Sequence, residues 1–155
     1  MPTEPHIYVD ADACPVKAEV AKVAERHGLA VTYVANAWMQ TPRAPRVRMQ
    51  VVAGQFDAAD DWIAGQAQPA DIVITADIPL ASRCLKAGAR VLGPSGKPFT
   101  DDNIGNALAT RELMADLRAY GVGGGPPPFG PRDRSRFLEA LERVVRDARQ
   151  ARASS

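Results

Sequence analysis

From His6 to Leu92 short apolar runs alternate with helical stripes, and this alternation leaves the chain few ways to fold. Five runs read as strands: His6 to Val9, Leu29 to Ala35, Val47 to Ala53, Ile72 to Thr75 and Ala89 to Leu92. Continuous runs of this length suit strands buried on both faces. Between them Val16, Val20 and Val23 mark a helix that opens near Pro15 and ends at Gly28. Phe56, Ala59, Ile63 and Ala67 mark another over 56–68, stopped by Pro69, and Pro79 to Ala87 reads as a third, stopped by Gly88. Such βαβ units predict an α/β fold in three layers: a mostly parallel sheet of five strands with helices on both faces.

The last third differs. Gly93 to Pro98 reads as a loop, and a helix capped by Thr100 or Asp101 places Leu113, Leu117 and Tyr120 on one side before Gly121. A glycine- and proline-rich stretch over 121–131 reads as a linker. Phe137, Leu141, Val144 and Ala148 then form the apolar face of a C-terminal helix whose opposite face holds Arg136, Arg143, Arg146 and Arg149. A length of 155 residues suits one domain over 1–155. The start lacks a signal-peptide pattern and no run reaches the length of a membrane span, so a cytoplasmic protein without membrane contact is expected. Cys14 and Cys84 are too few for a disulfide framework. A formal net charge of +1 gives no global basic signature, so contact with nucleic acid would have to come from local patches.

Two apolar runs break into aspartate where a helix begins: Asp10 and Asp12 follow the first strand, Asp77 the fourth. Parallel strands deliver these acids to one edge, where open α/β sheets bind their ligands. In the 56–68 helix, Asp60 lies on the inward face at 100° per residue, whereas Asp57 and Asp61 point sideways. Its first turn, with Asp57 and Asp60, sits over the same edge. Crowded carboxylates repel, and oxygen donors without a Cys or His pair favour Mg²⁺ or Mn²⁺ over zinc. Metal-assisted phosphodiester hydrolysis is the matching chemistry. Asp10, Asp60 and Asp77 are the candidate catalytic ligands, with Asp12 and Asp57 as further metal ligands or outer acids. Taken singly, the same acids also suit helix caps and turns.

Candidate substrate contacts are Asn36 and Thr75 at strand ends, Arg43 and Arg46 in the proline loop, Lys97 in the turn after the fifth strand, and Arg132 and Arg134 before the last helix. Asn36 and Thr75 also suit hydrogen bonds to the acids. No GxGxxG opens a helix after a strand and no GxxxxGK[ST] occurs, which disfavours dehydrogenases and P-loop NTPases.

The runs Tyr8 to Pro15, Val34-Ala35-Asn36 and Asp71 to Ala81, followed by Gly124-Gly125-Pro126 and Arg132-Asp133-Arg134, closely resemble the YaiI/YqxD family. That family is grouped with PIN-like domains, whose better-known relatives are metal-dependent ribonucleases. The resemblance implies a PIN-like fold, a Mg²⁺ or Mn²⁺ site and RNA as a partner. Asp10, Asp57 or Asp60, and Asp77 match the PIN acids, while Asp12 belongs to the family's own motif. Gly93-Pro94-Ser95-Gly96 stands where a fourth acid would follow the fifth strand, which leaves activity and metal number open. Three functions follow as alternatives: a metal-dependent ribonuclease, a non-catalytic module that binds RNA or protein, or a haloacid-dehalogenase-like phosphatase with Asp10 as nucleophile. The last helix serves either the domain's own core or a homo-oligomer.

Overall fold

Valine, isoleucine and tyrosine dominate the runs from Ile7, Val31 and Ile72, and such side chains pack well on a pleated surface covered from both sides. The computed structural model describes residues 4–55, 57–119, 121 and 129–153. In chain order the elements are β1 (Ile7–Asp10), α1 (Lys17–His27), β2 (Val31–Ala35), β3 (Val47–Val51), α2 (Ala58–Gln66), β4 (Ile72–Ile74), α3 (Ile78–Lys86), β5 (Arg90–Leu92), β6 (Pro98–Phe99), α4 (Ile104–Ala119) and α5 (Pro131–Ala153).

The strands form one sheet in the order β3-β2-β1-β4-β5-β6. β1 to β5 run parallel and β6 joins β5 antiparallel. The expected five strands are thus six. The extra one is two residues long, in a stretch whose glycines and prolines read as a loop, and its Pro98 is tolerated because the strand lies at the sheet edge.

Alternation along the strands sorts the two faces. Ile7, Val9, Val31, Tyr33, Ile72 and Ile74 face α1 and α5, joining Val16, Val20, Val23, Phe137, Leu141 and Val145 in the larger core. Tyr8, Val34, Val73 and Val91 face α2 and α3, packing with Ala59, Ile63, Leu80 and Cys84. The result is three layers. Because β2 lies on one side of β1 and β4 on the other, the connections reverse direction between β1 and β4, and that point is the natural ligand crevice of a doubly wound sheet.

The last helix belongs to the domain's own core. Phe137, Leu141, Val145 and Ala148 are fully buried, while Arg134 pairs with Glu19, and Arg26 and His27 both meet Glu142. Arg149, expected on the solvated face, instead bonds Glu4 and His27. Asp71, only 3% exposed, gathers the N–H groups of His6 and Gln68 and the Arg152 guanidinium, tying the chain start, the turn before β4 and the end of α5 together. The stripe expected on α4 does not face the core, since Leu113 is 57% exposed; Tyr120 lies outside the described residues, as does Phe56. Most of the linker stretch, 122–128, also lies outside them. Among the described residues no helix is long and apolar enough to cross a membrane.

Gly96 marks where the loop after β5 meets α5. Its φ is +90°, and a Cβ there would lie 2.8 Å from the Arg136 carbonyl carbon and oxygen. Backbone atoms cannot swing aside as a side-chain tip can. Gly96→Ala is therefore expected to cost at least about 2 kcal/mol, from left-handed strain plus displacement of α5, as read from the urea midpoint.

Candidate functional site

Each acid reaches the crevice for a local reason. Asp10 ends β1 in alternation with Tyr8, so its side chain lies on the α2 and α3 side of the sheet. Asp12 follows in a tight turn in which Ala13 adopts φ 62°, a left-handed conformation that turns the chain sharply before Pro15. Asp60 occupies the third position of α2, one residue beyond buried Ala59. Asp77 is the N-cap of α3, with Pro79 in the first turn, and its Oδ1 accepts the Leu80 N–H at 2.9 Å.

Asp10, Asp12, Asp60 and Asp77 line one crevice of about 300 Å³ at the carboxyl edge of β1 and β4, together with Cys14, Asn36, Thr75 and Pro94. Thr75, 2% exposed, is the hub: its hydroxyl donates to Asp10 at 2.8 Å and accepts the Asp77 N–H at 2.9 Å. The Asn36 N–H donates to Asp12 at 3.2 Å. Thr75, and Asn36 through its backbone, therefore hold the acids.

Burial pushes the Asp10 carboxyl above its ordinary range, opposed by the Thr75 hydrogen bond and reinforced by Asp77 and Asp12. The Asp60 carboxyl is pushed up to about 6, first by burial and then by the Asp77 and Asp10 charges, with Asp77 within hydrogen-bonding reach. Among the described residues, no group of three or more His, Cys, Asp or Glu side chains forms a ready-made metal cage. Asp10 is held by Thr75, Asp12 by the Asn36 N–H and Asp77 by the Leu80 N–H.

Thr75→Val is expected to cost about 2 kcal/mol, because the Asp77 N–H loses its acceptor and partly buried Asp10 its donor. The Asp10 carboxyl should also titrate higher, measurable by carboxyl-carbon NMR alongside urea unfolding.

The other candidates separate. Asp57 stands at the N-cap of α2, exposed, without a side-chain capping bond and outside the crevice lining, and reaches Asp60 only through its charge. Asp61 points aside and pairs with Arg83. Arg46, expected at the acid edge, lies at the opposite one, because the loop from β2 must return there before β3 can run parallel; it lines a cleft with His6, Gly28 and Asp71. Arg43, Lys97 and Arg132 are exposed and line no part of the acid crevice. Arg134 binds the Pro15 carbonyl and Glu19 and stacks over Phe129, bracing the turn that carries Asp12. Cys14 lines the crevice, but burial pushes its thiol up, away from the reactive thiolate. Sequence reasoning missed Ala13, whose positive φ has no glycine to announce it, and Pro94, which lines the wall where a fourth acid was sought.

The molecule is thus a doubly wound α/β protein with a carboxylate-lined crevice at its switch point. The chain belongs to the YaiI/YqxD family, whose model, described as an uncharacterized BCR, matches residues 8–147. It is 58% identical over 154 residues to a UPF0178 protein of Rhodopseudomonas palustris strain BisB5, covering 99% of this chain and 94% of the relative. It is 57% identical over 149 residues to a UPF0178 protein of Nitrobacter winogradskyi, covering 96% and 95%. No solved structure matches the chain.

Proposed function

We propose that the protein is a divalent-metal-dependent phosphodiester hydrolase of the PIN-like ribonuclease type, acting on RNA. The observation that carries this reading is the meeting of Asp10, Asp12, Asp60 and Asp77 in one crevice at the switch point of the sheet. The donor set suits Mg²⁺ or Mn²⁺, because every candidate ligand is a hard carboxylate oxygen. Mg²⁺ keeps several waters and commonly takes only one or two protein carboxylates. One or two of the crevice acids Asp10, Asp12, Asp60 and Asp77 would hold the ion, with the others as outer acids. When bound, the ion would supply charge neutralisation and Lewis-acid activation for a phosphate ester and water. The protein's own part is to orient: Thr75 aims Asp10, the α3 cap fixes Asp77 and the Asn36 N–H steadies Asp12.

The test is cleavage of an end-labelled single-stranded RNA by purified protein with Mn²⁺, with Mg²⁺ and with chelator. Cleavage is expected only with a divalent ion, and Asp10→Asn retaining full activity would sink the reading. A non-catalytic RNA-binding module is the second reading, favoured by the absence of a preformed cage among the described residues. RNA binding without cleavage under any ion would select it.

A further inference from the structure

Among the described residues four large apolar side chains are exposed: Trp38 at 73%, Val51 at 39%, and Leu113 and Met114 on α4. Single exposed apolar residues are ordinary, but the first two share a place. Val51 ends β3, and Trp38 lies in the irregular segment after β2, two residues past Asn36, which lines the acid crevice. Both strands run parallel to β1, so the indole and Val51 stand on the acids' edge of the sheet, on its β2 and β3 side.

The indole is not a loose end. Met39, next in sequence, packs against the larger core, and the Val52 N–H donates to the Ala35 carbonyl at 2.9 Å, so the segment leaves a fixed frame. Trp62 by contrast is spent on an edge contact with Tyr8, whereas Trp38 has no ring or cation partner among the described residues. From Asn36 to Pro45 the chain carries Arg43 and no acid, while Arg46 lies at the opposite edge. An outward-facing aromatic face, an exposed arginine in the same acid-free segment and an adjacent crevice together match how proteins hold single-stranded nucleic acid, by stacking bases on aromatics beside cations.

We propose that Trp38 is a stacking platform for a base of single-stranded nucleic acid whose backbone enters the acidic crevice, an inference that rests on the phosphodiesterase reading for the crevice itself. Arg43, exposed in the same segment, meets the backbone.

The chain has two tryptophans, so Trp62→Phe leaves Trp38 as the sole one. Titrating that protein with an oligouridylate of about ten nucleotides in chelator should quench its fluorescence. In the otherwise unchanged protein, Trp38→Ala should weaken binding of a labelled oligouridylate about tenfold by anisotropy, with Trp38→Phe recovering most of it. Equal affinity of the wild type and Trp38→Ala, or no binding by either, overturns the proposal. So does a Trp38→Ala change that dissolves a dimer and leaves oligonucleotide affinity untouched. Trp38-dependent binding without metal-dependent cleavage supports the platform and fails the hydrolase. Cleavage lost in Asp10→Asn but with KM unchanged in Trp38→Ala does the reverse.

Discussion

Asp60→Asn is expected to lower divalent-ion-dependent RNA cleavage by at least about a hundredfold while making the metal-free protein more stable. Both effects follow from carboxylates held together against their repulsion. The Asp60 carboxyl is pushed from 3.8 to about 6 in the folded protein, by burial first and then by Asp77 and Asp10. Between those values the folded state holds a proton that the unfolded chain has released. Stability therefore falls as pH rises through this window, and the whole penalty is present above pH 6. The shift corresponds in full to about 3 kcal/mol, and solvent screening at this partly exposed position reduces it to about 1 kcal/mol. The neutral amide of the Asp60→Asn variant carries no such penalty. In chelator, urea midpoints of wild type and variant should agree near pH 4 and separate in the variant's favour at pH 8, and Mn²⁺ should raise the wild-type midpoint more. A variant less stable than wild type at pH 8 would mean that Asp60 is held by favourable partners.

Phe137→Ala should remove about 4 kcal/mol of stability, a large share of the 5–15 kcal/mol typical of such domains. Phe137 is fully buried: with Leu141 and Val145 of α5 it belongs to the core that α5 forms against α1, β4 and β5. Truncation removes the ring and leaves a cavity that the sheet cannot close. Leu113→Ala, at a residue 57% exposed on α4, should change stability by no more than about 0.5 kcal/mol. Urea unfolding compares the two, and equal losses would mean that Leu113 is covered in the folded protein.

The strands and helices were legible because their signals are local. The valines of α1 repeat at helical spacing, Gly28 and Gly88 stop their helices through positive φ, and the continuous apolar runs of β1, β2 and β4 have no exposed face. Helical phase alone also separated Asp60, in the crevice, from Asp61, which reaches Arg83. What failed was non-local. Arg46 was expected near the acids because it follows an acid-edge strand end, but the irregular segment 37–45 lets the chain travel the full strand length back. Leu113 and Leu117 form a stripe in sequence, and no spacing reveals whether anything faces it. Asp71, in the strand-four motif, carries no local sign of being a hub because its partners His6 and Arg152 lie 65 and 81 positions away in the chain.

By itself the sequence determined a parallel sheet with acids at one edge, since hydrophobic period and helix phase depend on neighbours a few residues away. Only the tertiary structure decided which acids share the crevice, that Thr75 joins Asp10 to the Asp77 backbone, and that α5 completes the core instead of reaching for a partner. Those outcomes depend on strand order and on contacts between residues far apart in the chain, such as Thr75 with Asp10, 65 positions away, which no local pattern encodes.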